Sequence, residues 1–257
     1  MKLLEYRLGR GVSAFSTRRD ACGEMVDSAY SSFNITHYCG DAPEHVAECR
    51  KALCEHLGID DEHLVLPRQT HTDHVFVLDR KYFEVFPEMR SRLLEEQDAV
   101  VTCEKGVCIG VSTADCVPVL MYDAEAGVIA AVHAGWRGMV ARIPQKALAE
   151  MVTLGADPQR VKVAVGPSIG PESFEVGEEV VDAFLDEGFH PCILSRQWAK
   201  PHIDLWQACS MQLEEAGVSL RNMQFAGVDT FMRHDEFFSA RRLGIHSGRI
   251  FTGIMMK

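Results

Sequence analysis

The chain has 257 residues, 47% hydrophobic and 25% charged, a composition typical of a globular protein with a full apolar core. Its formal net charge of −11 argues against a nucleic-acid-binding surface, because such surfaces present basic residues to phosphates. There is no signal-peptide pattern and no apolar run as long as a membrane span, so we expect no membrane partner. With the acidic net charge, we also expect no nucleic-acid partner.

The nine cysteines are scattered and include no Cys-x-x-Cys pair. This usage predicts reduced thiols and a cytoplasmic location.

Apolar periodicity and turn residues divide the chain into short strands and helices. Strands are predicted at 2–8, 64–66, 75–78, 98–103, 107–111, 117–121, 128–132, 161–165, 225–228 and 249–255. Helices are predicted at 43–57, 81–97, 144–154, 176–187 and 203–216. Strands outnumber helices without regular alternation, which favours an α+β fold with mixed sheets over a doubly wound fold.

The first predicted helix has boundary signals at both ends. Asp41 is a candidate cap, Pro43 lies in the first turn, and Gly58 is a stop signal. Cys49 and Cys54 on this helix are expected to be small core residues rather than ligands.

The predicted strands 117–121 and 128–132 are β-branched-rich and separated by a short polar turn, so they can pair as antiparallel neighbours. Cys116 precedes the first strand and His133 follows the second. Antiparallel pairing would bring the two side chains together. By themselves they are better explained as a buried cysteine and a hydrogen-bonded histidine.

A third candidate ligand, a second histidine, makes a metal site more plausible than the two residues alone do. The polar segment 68–74 contains His71 and His74, and spacing does not decide between them. Three nitrogen and sulfur ligands from separate loops, with a fourth position open, are the pattern of a catalytic zinc site. The same Cys116 and His133 could instead form a thiolate–imidazolium pair for nucleophilic catalysis without metal.

Three arginines are candidate anion contacts. Arg137 lies between glycines just after His133, and Arg241 and Arg242 follow a pair of phenylalanines. A guanidinium fork matches phosphate oxygens, but structural ion pairs and exposed basic residues are equally ordinary explanations.

The chain resembles the laccase-domain family along nearly its whole length. The resemblance rests on Gln69-Thr-His71, Thr113-Ala-Asp-Cys116, His133-Ala-Gly-Trp-Arg-Gly138 and Phe237-Phe-Ser-Ala-Arg-Arg242. It implies one domain over 1–257, with mixed sheets flanked by helices as in the catalytic domain of cytotoxic necrotizing factor toxins. The chain departs from the family pattern at Asp229, where a cysteine is expected.

The resemblance also implies a function and a set of site residues. The zinc ligands would be His71, Cys116 and His133, which selects His71 over His74. The implied enzyme is a zinc-dependent purine nucleoside phosphorylase that uses phosphate on adenosine, inosine, guanosine and methylthioadenosine, with adenosine deaminase activity. The three ligands and Arg137 are the predicted catalytic residues. Gln69, Arg241 and Arg242 are predicted to bind substrate.

Three rival functions use the same residues. One is a metal-free Cys–His hydrolase or deamidase, and another is a zinc-stabilised binding protein. The third is a copper-dependent polyphenol oxidase. One cysteine and two histidines give little support to copper-based phenol oxidation, so copper at this site would be adventitious.

Overall fold

The computed structural model describes residues 1–23 and 28–257, which form thirteen strands and seven α-helices. The strands are β1 (Leu3–Glu5), β2 (Val12–Thr17), β3 (Leu64–Val65), β4 (Val75–Leu78), β5 (Ala99–Thr102), β6 (Cys108–Thr113), β7 (Val117–Asp123), β8 (Val128–Ala134), β9 (Lys162–Val165), β10 (Leu194–Ser195), β11 (His202–Ile203), β12 (Met223–Phe225) and β13 (Ile250–Met256). The helices are α1 (Pro43–Leu57), α2 (Pro87–Leu93), α3 (Trp136–Val140), α4 (Ile143–Thr153), α5 (Glu178–Asp186), α6 (Leu205–Glu215) and α7 (Ala240–Leu243).

Most strands belong to two mixed sheets. One has the order β12-β9-β7-β8-β5-β4, the other has the order β1-β2-β13-β6-β3, and β10 pairs separately with β11. The pairs β12–β9, β4–β5 and β3–β6 are parallel, whereas the other pairs are antiparallel. The predicted α+β fold with mixed sheets is confirmed. The similarity to the toxin domain and the single domain over 1–257 stay predictions.

The two large sheets pack face to face. Leu120 and Ile129 of the six-stranded sheet share an apolar cluster with Ile109 and Ile254 of the five-stranded sheet. Because side chains alternate along a strand, the intervening positions of β7 and β8 face the other way. There they pack with residues of α4 and α6, so this sheet is covered on both faces.

Helix α1 covers the outer face of the five-stranded sheet. Leu53 of α1 is fully buried in a cluster with Phe15 of β2 and Phe251 of β13. Cys49 and Cys54 lie in the same cluster, as predicted for small core residues. The layers are therefore helix, sheet, sheet and helix.

The hairpin of β7 and β8 forms the centre of the six-stranded sheet. Every residue of both strands is buried, and Pro118 lies opposite His133 in the antiparallel register. The Asp123 carboxylate accepts the backbone N–H groups of Glu125 and Ala126, which closes the turn. The predicted pairing of these strands is confirmed.

Several predicted elements are corrected. The N-cap of α1 is Ala42, while Asp41 instead accepts hydrogen bonds from Asn34 and pairs with His45. Gly58 does end the helix in the left-handed conformation. The predicted helix 81–97 is a 3₁₀ turn followed by α2, because the residue before Pro87 is extended.

Strand β2 and helix α3 are absent from the sequence prediction. Strand β2 pairs with both β1 and β13, and only β1 overlaps the predicted opening strand. The glycine-flanked segment after His133 folds as α3 rather than as an open turn, with Gly135 at its N-cap.

All nine cysteines, which lie in the described ranges, are free thiols. Within 1–23 and 28–257 no helix combines the length and the apolar character that a bilayer crossing requires.

Candidate metal centre

His71, Cys116 and His133 converge although they come from three different segments. His71 lies in the loop before β4, Cys116 directly precedes β7, and His133 is near the end of β8. Their possible ligand atoms all lie within 4.8 Å of one another, and Cys116 Sγ is 3.7 Å from His71 Nε2. The hairpin register produces the Cys116–His133 convergence that the sequence predicts. His74 lies outside the cluster and contacts the Glu96 carbonyl through Nδ1.

Asp98, immediately before β5, holds the two histidines in place. Its Oδ1 lies 2.6 Å from His133 Nδ1, which leaves Nε2 of that ring for the cluster. The same carboxylate accepts the backbone N–H groups of Thr70, His71 and Thr72, and the hydroxyl of Thr72. A carboxylate that orients a ligating histidine in this way is typical of zinc sites.

Sequence reasoning missed Asp98. The available signal was a carboxylate at the start of the predicted strand 98–103, directly before three apolar residues, because an unpaired charge would be costly to bury there. The pairing of β5 with β8, which places Ala99 opposite Val132, could not be foreseen.

Two residues of the cluster's loops have left-handed backbone conformations. His71 has φ 65° and Asp115, next to Cys116, has φ 90°. Such conformations persist where the surroundings hold them. The Asp115 carboxylate accepts the Thr230 hydroxyl and the backbone N–H of Arg241, each at 2.7 Å.

Gly135 lets His71 and Cys116 approach the start of α3. A Cβ at this position would lie 2.9 Å from His71 Cδ2 and 3.1 Å from Cys116 Sγ. Any residue can adopt the φ of −68° found at Gly135, so backbone conformation does not require glycine here. The close contacts of the two side chains do.

The electrostatics favour a thiolate at Cys116. Burial alone would raise the pKa of this thiol, but the charge of His133 and hydrogen bonds with both histidines lower it to about 6. Burial would lower the pKa of His133, yet the thiolate and Asp98 raise it to about 9. Burial likewise opposes ionisation of Asp98, but the His133 and Thr72 contacts lower its pKa to about 2.

The three side chains line a cavity of about 330 Å³. The other residues of its wall are Tyr38, Gln69, Ser112, Ala114, Ala240, Ile245 and Arg249. His71 is exposed, so the cluster is accessible from the cavity. Sequence reasoning missed Tyr38 and Arg249, which no motif near the ligands indicates.

Gln69 lies in this cavity wall, as expected for a substrate-binding residue, but its amide also has a structural task. Its Nε2 donates to the Ser112 carbonyl, and its Oε1 accepts the Ser112 backbone N–H, both at 2.8 Å. This clamp fixes the His71 loop to β6. Substrate binding by Gln69 stays a prediction.

The three predicted arginines lie outside the described wall of this cavity. Arg137 is exposed, and its guanidinium stacks 4.2 Å from the Trp136 ring. Arg242 lies over Phe231. Arg241 lines a neighbouring cavity of about 490 Å³. Their predicted roles in catalysis or substrate binding stay predictions.

Asp229, where the resemblance expected a cysteine, also lines the neighbouring cavity. Its carboxylate accepts the Ser173 hydroxyl at 2.6 Å and the backbone N–H of Phe231. The following residue, Thr230, supports Asp115 beside the cluster. The departure at Asp229 therefore leaves the three candidate ligands intact.

Comparisons with known proteins agree with the motifs. The chain is 44% identical to a purine nucleoside phosphorylase of Bacteroides thetaiotaomicron, over 94% of this chain and 90% of the relative. It is also 44% identical to adenosine deaminase RL5 of an unknown prokaryotic organism, over 96% and 95%. The crystal structure of YlmD from Geobacillus stearothermophilus matches 98% of this chain and 94% of its own, with a TM-score of 0.87 at 26% identity.

A family model described as "Multi-copper polyphenol oxidoreductase laccase" matches residues 12–257. This match covers nearly the whole chain and includes all three residues of the cluster. The chain therefore belongs to this laccase-domain family.

Proposed function

We propose that this chain is a zinc-dependent purine nucleoside phosphorylase that acts on adenosine, inosine, guanosine and methylthioadenosine, with adenosine deaminase activity. The observation that carries the proposal is the cluster of His71, Cys116 and His133 with Asp98 behind it, open to a cavity. The named activities of the 44%-identical relatives supply the reaction class.

The donor set fits zinc. Two imidazole nitrogens and one thiolate match the ligand preferences of zinc, and three protein ligands leave a fourth position for a reactant. When bound, zinc supplies a Lewis acid and a fixed positive charge beside the phosphate or the nucleoside.

The proposed phosphorolysis exchanges one bond for another. An oxygen of phosphate bonds to C1′ of the ribose while the bond from C1′ to the purine nitrogen breaks. The bonding pair leaves with the purine, which gains a proton, and the products are the free base and ribose 1-phosphate. In the proposed deamination, the oxygen of water bonds to C6 of adenosine and the amino group leaves as ammonia.

Residues around the cluster hold its side chains in position for these steps. Asp98 fixes the ring of His133, and Gln69 fixes the loop that carries His71. The cavity of about 330 Å³ limits the volume in which a reactant can move near the cluster. Preorganisation of this kind raises the effective concentration of the reacting groups. Arg137, Arg241 and Arg242 are candidates for contacts with substrate outside the cavity wall.

A metal-free function is the second candidate, and a specific observation favours it. Cys116, His133 and Asp98 form a thiolate–imidazolium–carboxylate series, with the pKa of Cys116 lowered to about 6. This is the arrangement of a cysteine nucleophile. Metal content of protein purified without added metal separates the two candidates.

Copper-based phenol oxidation has less support. In the part of the chain that the structure describes, one group of three potential ligands is found, whereas multicopper chemistry needs several. We propose that copper at the cluster is adventitious. We also propose one catalytic domain over 1–257 and, from the nine free thiols, a cytoplasmic location.

The function is tested with a panel of the four nucleosides, with and without phosphate, using protein of measured zinc content. Identification of ribose 1-phosphate among the products supports phosphorolysis. Free ribose as the product in phosphate buffer would refute it.

A further inference from the structure

The wall of the cluster's cavity carries a positive charge that neither motif nor resemblance indicates. Arg249, just before β13, lines the cavity together with the three ligands. No aspartate or glutamate belongs to this wall within the described residues. The wall is therefore suited to a small anion.

Arg249 is held by backbone carbonyls instead of by a carboxylate. Its Nη1 donates to the carbonyls of Ser247 and Gly248, at 2.5 and 3.0 Å, and its Nη2 donates to the carbonyl of Ile245 at 3.0 Å. Among residues 1–23 and 28–257 no carboxylate forms an ion pair with it. Its orientation is fixed by neutral partners, so its charge is not consumed by a direct carboxylate contact.

The other arginines near the site differ from Arg249 in position. Arg137 is exposed and stacked on Trp136, and Arg241 donates to the Glu175 carbonyl beside the neighbouring cavity. Neither lines the cavity of the cluster. A fixed guanidinium with donors to spare is the side chain best suited to an oxyanion.

A second donor lies in the same wall. The Tyr38 hydroxyl donates over 3.3 Å to the Pro67 carbonyl and lies 3.4 Å from Gln69 Oε1. These contacts are long for hydroxyl hydrogen bonds, so little is lost when the hydroxyl turns to another acceptor.

We propose that Arg249, assisted by the Tyr38 hydroxyl, forms the oxyanion subsite of this cavity and binds inorganic phosphate beside the metal cluster. The identification of the anion as phosphate rests on the proposed function. This subsite places the phosphate at a residue other than Arg137, Arg241 or Arg242.

The first experiment uses the unaltered protein. Phenylglyoxal modification, followed by peptide mass spectrometry, measures how far inorganic phosphate protects each arginine in metal-free and in zinc-loaded protein. Selective protection of Arg249 is expected. Protection of Arg137 or Arg241 in its place would overturn the subsite.

The second experiment uses variants with verified zinc content and thermal unfolding. Arg249→Gln should raise the Kd of inorganic phosphate and the apparent KM for phosphate by about 10- to 100-fold, the effect of losing charged hydrogen bonds. Arg249→Lys should raise both values less. Arg221→Gln, at an exposed arginine on the 3₁₀ turn Leu220–Asn222, is the control and should change neither.

The outcomes of these experiments distinguish failure of the Arg249 subsite from failure of the proposed function. Wild-type phosphate saturation in Arg249→Lys and Arg249→Gln would overturn the inference even if phosphorolysis is observed. If the wild type releases base without phosphate, the proposed function fails, and the protection experiment still decides where phosphate binds. Loss of binding of a nucleoside 5′-monophosphate, with inorganic phosphate unaffected, would assign Arg249 to a substrate phosphate and overturn the inference.

Discussion

Asp98 and His133 are joined by a 2.6 Å hydrogen bond between carboxylate Oδ1 and imidazole Nδ1, with His133 only 4% exposed and Asp98 fully buried. Asp98 immediately precedes β5 and His133 lies on the neighbouring strand β8, although the two residues are 35 positions apart in sequence. Through its bonds to the backbone of residues 70–72, the same carboxylate also positions the other histidine of the cluster. Asp98 is thus the residue through which the fold controls the proposed metal centre.

Asp98→Asn should weaken zinc binding by about 10- to 100-fold, the usual cost of losing a carboxylate behind a ligating histidine. Competition with a chelator of known affinity measures this change. Asp123→Asn is the matched control, because Asp123 is equally buried but binds Arg160 and the turn after β7. It should lower stability and leave zinc affinity unchanged. Equal losses of zinc affinity in both variants would mean that Asp98 acts only through stability.

Gly135→Ala should displace the ligands, because the added Cβ would approach His71 and Cys116 to about 3 Å. Overpacking of this kind costs about 1–3 kcal/mol, and we expect zinc affinity to fall by about tenfold or more. The control is Gly138→Ala, within the helix that Gly135 caps, where a Cβ would approach Ile143 and the Thr72 carbonyl at 3.2 and 3.3 Å. An unchanged zinc affinity in Gly135→Ala would show that the cluster tolerates a wider spacing.

Zinc binding should release about one proton near pH 8. At that pH Cys116, with a pKa of about 6, is already a thiolate, while His133, with a pKa of about 9, still carries the proton that zinc must displace. Proton release should fall toward zero above pH 9, and apparent affinity should rise with pH up to that point. Titration calorimetry in buffers of different ionisation enthalpy measures the release.

Asp98→Asn is the internal control for this titration, because loss of the carboxylate removes one cause of the raised pKa of His133. Release near pH 8 should then be smaller. Zinc binding without proton release in the unaltered protein at pH 8 would contradict the assigned charge states.

The elements that depend on local sequence patterns could be predicted from the sequence. The two apolar runs around Asp123 predicted the hairpin, and with it the meeting of Cys116 and His133. Proline and glycine marked both ends of α1. The choice of His71 as the third candidate ligand came from the resemblance, since spacing alone did not decide between His71 and His74.

The missed residues depend on contacts between distant segments. Asp98 reaches His133 only because β5 pairs with β8, and Arg249 reaches the cavity only because β13 lies beside β6. Helix α3 was missed because it is only five residues long and contains Gly138, and glycine disfavours helix in isolation. Sheet order and packing, which local periodicity does not encode, supplied these parts of the site.

Cys116→Ala should lose zinc or bind it much more weakly, since the thiolate is the one charged ligand of the three. Metal analysis after dialysis against a chelator gives the occupancy, and His71→Ala should behave in the same way. The matched control is Cys209→Ala, at a fully buried cysteine of α6 outside the cluster. Full zinc occupancy in both ligand variants would refute the assignment. Activity that persists in metal-free wild type but not in Cys116→Ala would favour the cysteine nucleophile.

The most direct test of the proposed function is the phosphate dependence of base release from inosine by zinc-loaded protein, with both products identified. We expect hypoxanthine and ribose 1-phosphate in equal amounts, with a rate that saturates in phosphate and falls to background without it. Equally fast release of hypoxanthine in phosphate-free buffer, with free ribose as the second product, would make the enzyme a nucleoside hydrolase and contradict the account.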